Sequence, residues 1–270
     1  MATALVTGAS AGIGLEFARQ LASEKHDLVL VARNKSRLAE VAKELRANFG
    51  VQVEIIAADL ANHDDLARVA NRLSLVEPET PADPPAFGLA RGETQKPVSI
   101  LVNNAGFGTG QAFVGGDIAK ELAVIDVLIT AVLVLSKAAA QQMVKRGKGA
   151  IINVGSIAAL TAGGTYAAAK AWVRTFTEGL AAELKGTGVT ATVIAPGLTR
   201  SEFHQRAGIK ADLFPDWTWL DASHVVREGL AAAKRGAVHS TPSLRYKAAA
   251  AALRVAPRAV VGAIGKPPGL

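Results

Sequence analysis

The chain has 270 residues, 50% hydrophobic and 20% charged, with no cysteine; this suits one large α/β domain with a full core and excludes a disordered chain, disulfides and thiolate chemistry. Its net charge of +7 sits in the tail: no acidic residue follows Glu228, basic ones run from Lys234 to Lys266, and the basic residues before them equal the 23 acidic ones in number. That distribution lacks the basic face, interleaved with aromatics, that a nucleic-acid partner needs.

In chain order, the hydrophobic pattern predicts a strand over 4–7, a glycine-rich turn, a helix over 13–23, a strand over 28–33 and a helix over 36–49. A strand over 51–57 and a helix over 63–75 follow. The proline-rich stretch 78–97 reads as a loop insertion at the N-terminal edge of the sheet, remote from the chemistry. Then come a strand over 99–103, one long helix over 117–146, a strand over 150–156, a helix over 166–184 and a strand over 189–195. A lid over 197–222, a helix over 222–235 and a weak strand over 237–241 complete one domain, residues 1–241. A basic tail covers 242–270. Strands alternating with helices predict βαβ units and a doubly wound parallel sheet. Residues Ala2 to Thr7 already form a strand-like run, which is expected to leave no room for a secretory segment, and no apolar run is long enough to span a membrane. The expectation is a cytoplasmic protein.

The turn after the first strand reads Thr7-Gly8-Ala9-Ser10-Ala11-Gly12-Ile13-Gly14. Glycines there let a backbone approach a pyrophosphate, and the free N–H groups of Ser10 to Gly14 at the helix start attract its charge. The alternative is a plain tight turn. At the tip of the second strand, where an NAD site commonly has an acid, the chain has Ala32 and then Arg33. A guanidinium there can fork onto a 2′-phosphate, with Lys35 and Arg37 adding positive potential, so NADP(H) is expected over NAD(H). The alternative for Arg33 is an ordinary surface arginine.

Tyr166 and Lys170 stand four residues apart at the start of a helix and share a face. A nearby ammonium is expected to lower the phenol's pKa and fit it for proton exchange with a carbonyl or alcohol oxygen. Ser156, at the predicted end of the fifth strand, can hydrogen-bond that oxygen. The five histidines are scattered without ligand spacing, so no metal is expected.

The ordered set resembles the classical short-chain dehydrogenase/reductase family: the glycine turn, Asp59-Leu60, Asn103-Asn104-Ala105-Gly106, Ser156, Tyr166 with Lys170, and Pro196-Gly197. The resemblance implies a Rossmann-type sheet of seven strands in the order 3-2-1-4-5-6-7. It implies that Asp59 lies near the adenine, that Leu60 also belongs to the cofactor site, and that Asn103, Asn104, Ala105 and Gly106 line the cofactor cleft. Lys170 would hold the nicotinamide ribose, Tyr166 would be the acid/base, and Pro196, Gly197 and Thr199 would flank the nicotinamide. It also implies a homodimer or homotetramer. Two positions depart from the pattern. Leu128 stands where the family often has an asparagine that relays protons through water, and leucine cannot anchor a water. Ser156 and Tyr166 are about three residues closer in sequence than is usual for the family.

The lid segment carries Leu198, Phe203, Ile209, Leu213, Phe214, Trp217, Trp219 and Leu220. They suit the wall of a pocket for a small lipophilic ketone or alcohol, such as a 3-oxoacyl or steroid-like compound, or else they pack the lid down. The tail from Ser243 to Ile264, broken by Pro257, is either a basic helix touching an anionic membrane or one packed on its own domain. The main expectation is a carbonyl reductase or alcohol dehydrogenase. Its rival, which Leu128 and the short interval favour, is a dinucleotide-binding sensor or partner subunit without useful turnover.

Overall fold

The computed structural model describes residues 2–77, 94–203 and 214–264. Seven strands form one sheet: β1 (Thr3–Thr7), β2 (Asp27–Ala32), β3 (Val53–Ala57), β4 (Val98–Asn103), β5 (Gly149–Val154), β6 (Val189–Ile194) and β7 (His239–Ser240). Their order is 3-2-1-4-5-6-7 and every neighbouring pair is parallel, as the resemblance implied. The helices are α1 (Gly12–Ser23), α2 (Lys35–Phe49), α3 (His63–Leu73), α4 (Ile118–Ile125), α5 (Ala131–Lys145), α6 (Gly164–Glu183), α7 (Ala222–Lys234), α8 (Leu244–Val255) and α9 (Arg258–Ile264).

A strand's side chains alternate between faces, so a sheet covered on both sides needs apolar residues at every position. In β1 and β2, Ala4, Val6, Leu28 and Leu30 enter one core with Phe17 and Leu21 of α1 and Leu38 of α2. Leu5, Val29 and Val31 enter the opposite core with Leu66 of α3 and Leu135 of α5. Three helices start on side-chain caps: Asn34 accepts from the Arg37 N–H, Asn62 from those of Asp64 and Asp65, and Asp117 from that of Ala119. α1 starts at Ala11 with no such cap. Its first amides are left for another partner.

Two expected elements differ. β5 stops at Val154 rather than reaching Ser156. The long helix is interrupted by a five-residue π-helical segment, Asp126–Thr130, which adds a residue to the turn and leaves Val127 and Leu128 both buried. Of the expected loop 78–97, only residues 94–97 lie within the described chain. They lead into β4 at the N-terminal edge of the sheet. No helix among the described residues is long and apolar enough to cross a membrane.

Near that N-terminal edge lies a buried ion pair. Arg72 Nε stands 2.9 Å from both carboxylate oxygens of Glu54, and Arg72 Nη2 donates to the Lys96 carbonyl at 2.9 Å. The two side chains are 2% and 3% exposed. Burial pushes the Glu54 carboxyl above its ordinary range, and the guanidinium only partly opposes this. Removing one partner strands a charge, so Arg72→Met should cost about 3–5 kcal/mol in urea unfolding, with much of the loss recovered on adding Glu54→Gln. An unchanged unfolding midpoint in the single variant would show that the pair contributes nothing.

Candidate active site

The strand order reverses between β1 and β4, and the crevice beyond their carboxyl ends is where open α/β sheets bind ligands. The turns leaving these two strands are tied together there. Thr7 Oγ1 accepts from the Asn104 N–H at 2.9 Å and the Ala105 N–H at 3.0 Å, and donates to the Val102 carbonyl at 3.3 Å. Asn104 Nδ2 donates to the Thr7 carbonyl at 2.9 Å. Gly8 has φ of +67°, and its missing Cβ leaves room for the Asn104 amide. A Cβ on Gly14 would collide with the Gly8 carbonyl. Gly12, at φ +54°, faces Ser201 across a gap that a Cβ would enter. The uncapped amides of α1 open onto this glycine turn. Together they fit a dinucleotide's pyrophosphate.

Around this turn the expected residues fall as follows. Ser10, Ala11, Gly12 and Ile13 are partly exposed, and Ala9 N–H donates to Val31 O, which holds the turn beside the tip of β2. Arg33 lies one residue beyond β2, exposed and with no ion pair among the described residues. Asp59 is half-buried, its Oδ1 accepting from the Ala61 N–H, and Leu60 is buried. Asn103 does not line the cleft. It is 4% exposed and turns inward, donating to Asn153 Oδ1 at 2.9 Å and Ser136 Oγ at 3.1 Å. Asn153 continues the chain to Thr177 Oγ1 at 2.9 Å. This polar network under the site was missed from sequence because four scattered polar residues on separate elements give no local signal.

Ser156 caps a single 3-10 turn, Ile157–Leu160, its Oγ accepting from the Ala158 N–H at 3.1 Å. Pro196 anchors that turn, its carbonyl accepting from the Ile157 N–H at 2.9 Å. The chain then reverses at Gly164, φ +66°, into α6. The tight turn absorbs the short interval, and Ser156 hydrogen-bonds Tyr166. Lys170 is 5% exposed, and its Nζ lies 5.8 Å from the centroid of the Tyr166 ring. The ammonium donates to the Val154 carbonyl at 2.6 Å.

The electrostatics correct one expectation. The Tyr166 phenol is pushed up to about 12, not down: burial of its oxygen raises it, and the Ser156 hydrogen bond only partly offsets this. Burial likewise pulls Lys170 down to about 8. At these positions loss of water outweighs the attraction between ammonium and phenolate. Leu128 is fully buried with Val124 and Ala169, against Tyr166 and Phe107. It also lies against Gly106, where a Cβ would strike it.

Glu121 was also missed. It is 5% exposed on α4, accepts from Gln111 Nε2 at 2.9 Å and hydrogen-bonds Thr165, the neighbour of Tyr166. Those bonds, Gln111's first, hold its carboxyl below the usual range. The only hint in the sequence was an acid on an otherwise apolar helix face.

The apolar lid residues divide. Phe203 lies against Tyr166 with ring centroids 5.5 Å apart, whereas Leu220 joins the core and Trp217 is 68% exposed. Phe214 and Trp219 meet edge to face. Ile209 and Leu213 lie outside the described residues. Thr199 is buried, its hydroxyl donating to the Gly197 carbonyl at 3.0 Å, and a Cβ on Gly197 would collide with the Tyr246 ring.

This combination of sheet, glycine turn and Ser–Tyr–Lys cluster has a clear kinship. The family model for short chain dehydrogenases matches residues 2–75 and 87–211. Among curated proteins, a galactitol 2-dehydrogenase (L-tagatose-forming) from Cereibacter sphaeroides is 33% identical over 84% of this chain and 82% of its own length. Among solved structures, a short-chain dehydrogenase from Sphingobium yanoikuyae in complex with NADPH is 34% identical, covers 94% of each chain and gives a TM-score of 0.79. A bulky-bulky ketone specific alcohol dehydrogenase from Comamonas testosteroni is 30% identical over 94% of this chain and 92% of its own, with a TM-score of 0.75. The chain belongs to the short-chain dehydrogenase family, oxidoreductases that act on alcohol and carbonyl groups.

The chain has two tyrosines, Tyr166 and Tyr246, so the phenol can be titrated directly. In the cofactor-free protein, the ultraviolet absorbance of wild type minus Tyr166→Phe should show phenolate rising only near pH 12, above the ordinary 10.0. A Tyr166 transition at or below pH 10 would mean that Lys170 outweighs burial.

Proposed function

We propose that this chain is an NADP(H)-dependent oxidoreductase that transfers a hydride between nicotinamide and the carbonyl or alcohol carbon of a lipophilic substrate. The observation that carries the reading is the meeting of Ser156, Tyr166 and Lys170 beside the glycine turn, despite the short interval between serine and tyrosine.

Each of the three has a task that its surroundings suit. In the reducing direction the substrate oxygen sits between Ser156 Oγ and Tyr166 Oη, which both donate to it. Tyr166 delivers the proton as negative charge develops there. A phenol at about 12 stays protonated at neutral pH and can still donate to an alkoxide, whereas its phenolate, a stronger base than an ordinary tyrosinate, is scarcely populated there. Lys170, at about 8, is largely charged at neutral pH and stabilises the phenolate left behind. The nicotinamide, when bound, supplies the hydride. Gly8, Ser10 to Gly14, Asn104, Ala105 and Gly106 would hold the dinucleotide, with Asp59 and Leu60 at the adenine and Pro196, Gly197 and Thr199 at the nicotinamide.

Three features support the finer choices. Arg33 is exposed and, among the described residues, without an ion pair, and it follows Ala32, whose side chain carries no charge to repel a 2′-phosphate. The Sphingobium relative was solved with NADPH. The Phe203 ring against Tyr166 gives the site an apolar wall. Exposed Ile118, Leu122 and Leu133 on α4 and α5 support a homodimer or homotetramer. One observation favours the sensor reading: Leu128 fills with hydrocarbon the place beside Tyr166 where a relay water would need a polar anchor.

NADPH oxidation with a panel of bulky ketones tests the choice. Tyr166→Phe should lower kcat at least about 100-fold while NADPH affinity stays within about threefold. Tight NADPH binding by a wild type that turns over no ketone would favour the sensor. For the cofactor, Arg33→Ala should raise the Kd for NADPH about tenfold or more and leave that for NADH nearly unchanged. Equal weakening of both would refute the role of Arg33.

A further inference from the structure

The start of α8 grips two segments beside the site, 197–203 and 214–220. Tyr246 Oη accepts from the Leu198 N–H at 3.1 Å and donates to the Thr218 carbonyl at 2.8 Å, so one hydroxyl joins both stems of the 197–220 loop. Its ring lies flat against Gly197, where any side chain would collide. Arg245 Nη2 donates to the Trp219 carbonyl at 3.0 Å, and Nη1 donates to that of Trp217. The stems also bond each other: Leu220 N–H to Leu198 O at 2.8 Å, and Arg200 N–H to Leu220 O at 2.9 Å. Ser243, just before α8, has φ of +106°, a conformation that a serine keeps only when its surroundings enforce it.

The stem so held reaches both halves of the site. Thr199 is buried at its root, Ser201 faces Gly12 of the glycine turn, and Phe203 lies on the ring of Tyr166. A stem displaced by an ångström would carry Phe203 off the phenol and reshape the wall that an apolar substrate meets.

We infer that Tyr246, with Arg245 beside it, is a positioning residue for the substrate-binding loop: it sets the height of the Gly197–Phe203 stem over Tyr166 and thereby the affinity for a bulky lipophilic carbonyl compound. The inference rests on Tyr166 being the proton donor proposed above. It gives the basic tail a task within its own domain. Tyr246 acts through the loop and touches none of the reacting atoms.

Tyr246→Phe isolates the effect, because the ring stays on Gly197 while both hydrogen bonds are lost and the Leu198 N–H and Thr218 carbonyl are left unpaired. Lys247→Ala, an exposed neighbour on the same helix turn, is the control. Hydrogen-exchange mass spectrometry of the full chain should show exchange in the 197–203 and 214–220 peptides about tenfold faster in Tyr246→Phe, with the β1 and β4 peptides unchanged. With NADPH and the best ketone of the panel, KM should rise about five- to tenfold and kcat change less than about twofold. The control should match wild type in both assays. Unchanged exchange in the loop peptides overturns the inference. So does an equal rise in the strand peptides, which marks a general loss of stability, and so does a fall in kcat at constant KM. If wild type turns over no ketone, the reductase reading fails by itself, and the exchange comparison still decides whether Tyr246 holds the loop.

Discussion

The glycine turn after β1 and the asparagine turn after β4 are held together by the Thr7 hydroxyl and the Asn104 amide. Both groups reach across the point where the sheet reverses direction, and the approach is close enough that Gly8 and Gly14 have no room for a side chain. The aim of α1 follows from it, because Gly14 lies within the first turn of that helix. So does the placement of Gly106 over Leu128 and near Lys170. The cleft floor, the uncapped helix start and the ceiling over the lysine are consequences of one packed junction.

A different balance governs the reactive groups. Tyr166 and Lys170 share a helix face, and their spacing alone would make each stabilise the other's charged form. Enclosure reverses that outcome. The phenol is harder to ionise and the ammonium easier to discharge than in water. Leu128, Val124 and Ala169 supply the hydrocarbon responsible. The same hydrocarbon excludes the water that an asparagine at position 128 would hold. That side of Tyr166 therefore carries hydrocarbon where the family pattern has a polar group, and the proton route proposed above uses only Ser156, Tyr166 and the substrate itself.

The carboxyl edge is finished by parts far away in sequence. The Pro196 carbonyl fixes the turn that carries Ser156, the Gly197–Phe203 stem lays an aromatic ring on Tyr166, and Tyr246 fixes that stem from the tail. Bonds from Gln111 and Thr165 to Glu121 tie the opposite rim to the start of α6. A rigid sheet thus presents a site whose walls are loops, each held by a few named hydrogen bonds.

The doubly wound parallel sheet and the glycine turn were legible in the sequence because they rest on local signals: runs of apolar residues, helix periods between them, and glycines at a strand-to-helix junction; the strand order came only with the family resemblance. Tyr166 and Lys170 were legible too, since a four-residue spacing on a helix fixes a shared face whatever surrounds it. Tertiary structure alone decided the rest. It interrupted the long helix with a π-helical segment at Asp126–Thr130, turned Asn103 away from the cleft, and used Gly164 to bring Ser156 to Tyr166 across a short interval. It also reversed the expected shift of the tyrosine and placed Tyr246 on Gly197. The physical reason is common to all of these. Desolvation and close contact depend on what arrives from distant parts of the chain, and a linear pattern records only what each residue's own neighbours favour.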